Sequence, residues 1–590
     1  MLSSRNFVLA CALVAAAILV AGRITDLPLA LLAVEVFATI LALFFFGSFR
    51  YQIHKNALTY GLLLVIVATF IGLPTSGWHA EVAAQGAWWW IRTHLLTFHG
   101  LDELIHADTM LFILGLTFFV SVIAQTRLLE GVTFFLLRRN RGLIVPTTIA
   151  VTLAVAFASG ILDGVSMIGL TIRTLVIVMT LAAVPPETVR YAVMVCTAVT
   201  TICGIWLAYG EPPNLIMKAN LEPFLDNAFF LRYCAPAAIA AYVMVALQLR
   251  SRLRGQRVSM EEMDIIDANT ADVSFLQAAR HGEVLTSIEL IEAHAGPAEW
   301  GQRVIRRLRA GETLGLALIH EDVPIETRRV LLGHFVAEEL ADGLDRHYIL
   351  DAAGQYEEAF HAEQAVDEVL HEMARERRRA QIIGGLALIP FAGMLVVHAV
   401  SHEVPLFLAS FAGCAAALPA IAKIPKMRSL ALREARLEYA EYFFLFPLFL
   451  SISLLTSAGF FEGMQELIRG GIVSLGSSNV AFIQFLGSTV LSAILDNNVV
   501  ADFASRGLEG LDLDLLRLFA MAQIAGYALG GCWTHIGCAQ SVVAYAFVKR
   551  DLDEHYTPVQ WIREMTPVIV KIVVVMSAII YVESAILGLF

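Results

Sequence analysis

Two aspartates lie inside apolar runs of this chain, each at the tip of a similar short sequence. The first is Ser159-Gly-Ile-Leu-Asp-Gly-Val-Ser166 and the second is Ser492-Ala-Ile-Leu-Asp-Asn-Asn498. A carboxylate in a membrane interior is unfavourable by at least ~2.5–3.5 kcal/mol on insertion scales, so Asp163 and Asp496 are functional candidates by default. Desolvation favours the neutral acid, whereas a nearby cation favours the carboxylate. One such group therefore holds a proton or a metal ion but not both, which is the minimum chemistry of proton/cation exchange. Alkali cations are hard ions that prefer oxygen ligands. Asp163, Ser166, Asp496, Asn497 and Asn498 supply them.

About 40–50 residues beyond each tip, a second apolar run is interrupted at a glycine. The first break is Leu207-Ala-Tyr-Gly-Glu-Pro-Pro-Asn214 and the second is Thr534-His-Ile-Gly-Cys-Ala-Gln540. Pro212 and Pro213 lack N–H groups and fix φ, so no unbroken helix passes through the first. Interrupted segments at matching places in two halves point to a secondary-transport site, where half-helix ends and freed carbonyls face the cargo. Glu211 reads equally as a third ligand or proton carrier and as an N-cap carboxylate, and Asn214 as a cap or a ligand. At the second break Thr534 is a candidate ion ligand. His535 is a candidate pH sensor, with a satisfied core histidine as the other reading. Arg173, ten residues past Asp163, is expected to be a structural partner.

The elements that must hold these groups are membrane helices. The 590 residues are 58% hydrophobic and only 16% charged, with mean hydropathy +0.69. Stretches such as Phe7–Gly22, Leu27–Phe46, Ala57–Leu73 and Ile569–Phe590 are long enough to cross a hydrocarbon core of about 30 Å. The first is read as a signal anchor. Placing the Arg- and Lys-rich loops inside closes the path when both Asp hairpins, about residues 144–184 and 479–507, are re-entrant. The expectation is an all-α polytopic membrane protein with about eleven spans, two re-entrant hairpins and two interrupted helices. Its halves, 1–250 (with an extra first span) and 381–590, then run in opposite senses as an inverted repeat. Trp88–Trp90 fits an interfacial aromatic belt. The expected location is the inner (cytoplasmic) membrane.

Residues 251–380 form a hydrophilic insert, expected in the cytoplasm, which carries about −10 of the net charge of −12. Glu357–Arg379 reads as a solvated helix and Leu314–Ile319 as a short strand. Within that helix, Glu358/His361 and Glu368/His371 read as a solvated face rather than a metal motif. The seven cysteines lie in or beside apolar segments without zinc spacing and read as packing residues. No transition-metal site, cofactor or nucleic-acid surface is expected. No Walker A, H-E-x-x-H or G-x-S-x-G motif supports an ATP-driven pump or a hydrolase, so the chain is not read as an enzyme.

The tips Leu162-Asp163-Gly164 and Leu495-Asp496-Asn497-Asn498, with the breaks Gly210-Glu-Pro-Pro-Asn214 and Gly530-Gly-x-x-Thr534-x-Ile-Gly537, resemble the ion transporter superfamily. The resemblance is nearest to its NhaD-type Na+/H+ antiporters, relatives of arsenite and citrate carriers. It covers both membrane halves and not the insert. It implies scaffold and transport domains, a homodimer and elevator-like alternating access. Gly164 departs from the usual Asn of that branch and Glu211 from its usual Asp, while Thr200-Thr201 and Gly204-Ile205 replace polar positions upstream. Exchange of Na+ (or Li+) for H+ is the leading expectation. An arsenite carrier is the alternative that Cys203, Cys532 and Cys538 beside the breaks suggest. Organic-anion carriage is a further alternative, which two carboxylates disfavour. A membrane sensor signalling through the insert is the alternative of another class.

Overall fold

The computed structural model describes residues 77–182, 184–258, 299–310, 314–333, 338–401, 403–422, 425–443, 445–457 and 460–589, with isolated positions besides. The spans expected at Phe7–Gly22, Leu27–Phe46 and Ala57–Leu73 lie, isolated positions apart, outside the described residues. Among the described residues every regular element is helical, and the one β pairing is an isolated bridge between Leu143 and Arg257. Six of the helices are long and apolar enough to cross a bilayer, including Asn227–Arg252, Ser477–Ile494, Leu513–Trp533 and Pro558–Ile586. The protein is a multi-pass membrane protein.

The chain divides into two compact units, one of residues 1–129, 144–256 and 384–590, the other of 130–143 and 257–383. In the first unit the two acidic tips each separate a pair of helices. Helices α1 (Ile144–Ala158) and α2 (Gly164–Leu181) flank the first tip, and α3 (Pro186–Thr200) and α4 (Pro212–Asn220) flank the first break. Helix α5 (Ala235–Arg252) follows. The second series is α6 (Ser477–Ile494) and α7 (Asn497–Arg506) around the second tip, then α8 (Leu513–Trp533) and α9 (Ala539–Phe547) around the second break. Helix α10 (Pro558–Ile586) closes the chain, its start fixed by a reciprocal Thr557–Gln560 capping box.

Length decides what these pieces do. At 1.5 Å per residue, α4 and α7 extend only about 14–15 Å, half of a hydrocarbon core, and α9 with the π-helical segment Val548–Leu552 that continues it about 20 Å. None crosses alone. They pack crosswise instead: α4 lies against α7 of the other series, and α9 against α2. Each short helix leaving a break is thus covered by the helix leaving the opposite tip.

The second unit has its own apolar core. Glu299–Arg309 places Val304, Ile305 and Leu308 on one face, where they meet Leu314, Ala317, Leu318, Val323 and Leu331, with Trp300 packed alongside. Its polar face carries Arg303 and Arg307, whose Nε atoms both donate to Glu321 at 2.6 Å. Deeper in, Arg328 donates from Nε and Nη2 to the buried carboxylate of Asp345 at 2.7 and 3.0 Å.

One expectation fails here. Leu314–Ile319 is not a strand but part of the helix Leu314–His320. Leu314, Ala317 and Leu318, buried with Gly315, stand at a spacing of three and four that a helix puts on one face. Leucine and alanine also favour helix, and Ile319 is the one β-branched residue of the stretch. The segment Glu357–Arg379 is helical, within Tyr356–Val400, and exposes Glu358, His361 and Glu368.

Candidate functional site: two acidic tips on two helix breaks

Each tip is stitched to the break of its own series by backbone hydrogen bonds. The N–H of Gly164, just after Asp163, donates to the carbonyl of Gly210 at 3.0 Å, and the N–H of Gly210 donates to Gly160 at 3.1 Å. In the second series the N–H of Asn497, just after Asp496, donates to the carbonyl of Gly537 at 3.1 Å. The Thr534 hydroxyl adds a bond to the carbonyl of Ala493 at 2.6 Å. Such close approach requires glycine: a Cβ on Gly210 would lie 1.7 Å from the Ser159 carbonyl oxygen, and one on Gly537 2.7 Å from that of Ser492. The two serines hold equivalent places four residues before their aspartates.

Four helices begin at these points, and their N-cap positions carry the chemistry. The carbonyls of Asp163, Glu211, Asp496 and Cys538 accept the first helical bonds of α2, α4, α7 and α9 from Met167, Leu215, Val500 and Val542. All three acids are buried, with 2–3% of their surface exposed. The Asp163 carboxylate accepts from Ser166 N at 2.9 Å, Ser166 Oγ at 2.8 Å and Tyr442 Oη at 2.9 Å. Asp496 Oδ1 accepts from Asn498 N at 3.0 Å and Asn498 Nδ2 at 2.7 Å.

Glu211 behaves differently. It makes no side-chain cap bond to its own helix. Its Oε1 accepts from Gln540 Nε2, at the start of α9, at 2.7 Å. It also stands within electrostatic reach of both Asp163 and Asp496. The two series therefore meet at Glu211. The missing side chain of Gly164 makes room for it: a Cβ there would fall 2.4 Å from Glu211 Oε1 and 2.7 Å from Gln540 Nε2.

Other expected ligands fall around this junction in different ways. Asn214 is buried and spans the series, its Nδ2 donating to the Leu207 carbonyl at 3.3 Å and its Oδ1 accepting from Tyr527 Oη. Asn498 Oδ1 is a buried acceptor with no donor, next to Asp496. Asn497 is buried. Ser166 and Thr534 spend their hydroxyl protons on Asp163 and Ala493. His535 lies beside Tyr545, ring centroids 4.7 Å apart and planes tilted by 53°, and its buried Nδ1 has no hydrogen-bond partner among the described residues. Cys203, Cys532 and Cys538 are buried; Cys532 Sγ contacts the Thr201 hydroxyl and Cys538 Sγ lies 3.3 Å from Ser541 Oγ. Among the described residues no three His, Cys, Asp or Glu side chains converge on one metal ion. Arg173 reaches Glu434 at 3.6 Å.

Sequence reasoning missed Gln540, Tyr442 and Tyr527, none of which carries a local signal. It also missed Asp502, fully buried on α7, whose Oδ1 accepts from Asn220 Nδ2 at 2.7 Å. That one was within reach, as another acid in an apolar stretch only six residues past Asp496.

A charge balance follows. Each helix N-terminus acts as roughly +0.5 charge, so four supply about +2 where three ionised carboxylates supply −3. By that reckoning the three ionised carboxylates exceed the four helix ends by about one charge. The partners of Asp163 and Glu211 described above are neutral and do not offset it.

The sequence model of one protein family, CitMHS, described as citrate transporter, matches residues 63–506, about three quarters of the chain. The chain belongs to the CitMHS family. CitMHS proteins are secondary transporters, and the matched region contains both tips and the Glu211 break but ends before α8 and α9. No curated protein matches the chain.

Proposed function

We propose that this CitMHS protein is a cation-coupled secondary transporter in which Asp163, Glu211 and Asp496 exchange a proton for an alkali cation, Na+ or Li+. The observation that carries this reading is the placing of three buried carboxylates at helix starts of the two crossed series, with Glu211 crossing from one series to the other; ionised together, they exceed the helix-end charges by about one. One proton or one monovalent cation offsets that excess, and the two compete. Asn498 Oδ1, a buried oxygen without a donor beside Asp496, adds a ligand of the kind hard cations prefer.

The remaining architecture is proposed with it. The paired tips and breaks fit an inverted repeat of two re-entrant hairpins and two interrupted helices within about eleven spans, as in the NhaD-type antiporters that the tip motifs resemble. In this reading the acids lie near the bilayer midplane, which short helices that cannot cross alone support. Elevator-like movement in a homodimer of the inner membrane, with residues 251–380 in the cytoplasm, completes the reading. The hypothesised cycle is proton release, cation capture from one side, movement, cation release and reprotonation.

The family match favours a second reading, citrate carriage. A citrate polyanion alone would deepen the negative excess at the three acids. It fits only with those acids protonated or with cations bound beside it, so in this reading too they handle the coupling cation.

The test is a pair of assays on the same proteoliposomes. Dequenching of a pH-sensitive dye is followed on adding Na+, Li+ or K+ to a preset pH gradient, and uptake of labelled citrate is followed with and without Na+. A Na+- or Li+-specific pH response that disappears in Asp496→Asn is expected. Silence toward every cation, with citrate uptake that survives both Asp163→Asn and Asp496→Asn, would sink the proposal.

A further inference from the structure

Helices α3, α5 and α10 come together at a cleft that the acidic site does not use. It is a cavity of about 390 Å³ whose lining includes Glu187, Arg190, Tyr191, Arg252, Arg563 and Glu564, within the roughly 300–1,000 Å³ of small-ligand pockets. A smaller cavity of about 190 Å³ adjoins it, sharing Tyr191, Arg252 and Glu564 and adding Gln248 and Lys571. Basic groups outnumber acids across the two, and of the two acids the exposed Glu187 lies at the surface while Glu564 is engaged. Glu564 accepts from Arg190 Nη2 at 3.1 Å and from Tyr556 Oη at 3.1 Å.

What remains on offer is a set of unused donors. Arg190 spends Nη1 on Asp553 at 2.9 Å and Nη2 on Glu564, which leaves its Nε buried without an acceptor. Gln248 accepts from Tyr191 Oη at 2.6 Å, and its Nε2 is likewise buried without an acceptor. The Arg252 guanidinium carbon lies over the Tyr191 ring, 3.9 Å from the centroid. Buried donors left unpaired are costly, and here they share one cleft with three further cationic heads.

The helix faces that line the cleft continue as aliphatic surface. On α5 the series Ser251, Leu247, Val243 runs down one face at four-residue steps, and Leu247 and Val243 are 55% and 48% exposed. On α10 the face of Arg563, Pro567 and Lys571 continues one turn on at Val574, 64% exposed. A polar, cationic cleft opening onto exposed aliphatic stripes is complementary to one kind of ligand.

We infer that this cleft binds the phosphate of an anionic phospholipid, with Arg252, Arg563 and Lys571 around the headgroup and the acyl chains lying along α5 and α10. Basic pockets between membrane helices recognise such headgroups. The inference rests on membrane residence and not on which ion is exchanged. Because α3 carries Arg190 at one end and leads into the Glu211 break at the other, the bound lipid would join the first series to α5 and α10.

Native mass spectrometry of the full chain in a mild detergent tests this, with phosphatidylglycerol, phosphatidylcholine and inorganic phosphate as the three probes. Phosphatidylglycerol is expected to bind at least tenfold more tightly than phosphatidylcholine. At about 1 kcal/mol for each basic side chain, Arg252→Gln with Lys571→Gln should weaken it about thirtyfold, and the exposed Arg563→Gln alone about fivefold. Phosphatidylcholine binding should stay at its wild-type level in all variants, which also reports that they are folded. Equal affinity for the two lipids, or undiminished phosphatidylglycerol binding in both the double and the single variant, overturns the inference. Displacement of the lipid by millimolar inorganic phosphate also overturns it, by making the cleft a free-anion site.

Discussion

The two tip-and-break series share a backbone and differ in where they keep their polar side chains. Glycine carbonyls at 210 and 537 receive equivalent amides, those of Gly164 and Asn497, at 3.0 and 3.1 Å. Helices start at equivalent residues. Yet the second tip keeps two amides, Asn497 and Asn498, behind its aspartate and has the uncharged Cys538 at its break. The first tip has Gly164 in that place and an acid, Glu211, at its break. The comparison teaches that the frame is fixed by backbone bonds and glycine contacts, whereas charge is distributed unequally over it. The longer Glu211 fills the space Gly164 vacates and crosses to Gln540 of the other series.

Removing the acids is the strongest way to test that inequality. Asp496→Asn and Glu211→Gln are each expected to lower cation-driven proton flux at least about a hundredfold, roughly 2.7 kcal/mol in the barrier. If Asp163→Asn in the same proteoliposome assay leaves the rate unchanged, the tips are not equivalent and the first series acts through Glu211 alone.

Next come the glycine contacts, which should fail unequally. A methyl on Gly210 meets the Ser159 carbonyl at 1.7 Å, but one on Gly537 meets that of Ser492 at 2.7 Å. Gly210→Ala should therefore destabilise at or beyond the upper end of the ~1–3 kcal/mol range for overpacking, and Gly537→Ala within it. Thermal unfolding in detergent measures both; equal losses would contradict the geometry.

Compensation between neighbours sharpens the comparison further. Gly164→Asn alone should cost about 1–3 kcal/mol, because its side chain collides with Glu211 and Gln540. Adding Glu211→Asp withdraws the carboxylate by one carbon and should restore most of that loss. A double variant no more stable than the single one would show that the two positions are independent.

The smallest effect belongs to Gln540→Ala. It removes one hydrogen bond to Glu211 Oε1, worth about 0.5–1.5 kcal/mol when that acid is neutral. Melting temperature of the variant beside wild type in detergent measures the loss.

How much of this was visible in the linear chain depended on the range of the interaction. The tips and breaks announce themselves locally, through an acid in an apolar run, a Pro-Pro pair and glycines. The N-cap reading of Glu211 was open because a carboxylate before Pro212 suits a cap as well as a ligand. The structure puts it at the N-cap position but turns its side chain away to Gln540. That contact, like those of Tyr442 with Asp163 and Tyr527 with Asn214, joins residues about 280–330 apart. No periodicity encodes such a pairing. Leu314–Ile319 failed for the opposite reason, since six apolar residues carry too short a pattern to separate strand from helix until their neighbours fix which face is buried.

The amide bonds between tip and break also set where the protein is stiff. Gly164 to Gly210 and Gly210 to Gly160 in one series, and Asn497 to Gly537 in the other, are buried in surroundings where an amide bond broken without replacement costs about 4–6 kcal/mol. Peeling a tip away from its break would sever them. The compliant places must lie elsewhere, so each tip and its break behave as one stiff plate, and in the proposed cycle an ion would be let go only when the walls around that plate shift.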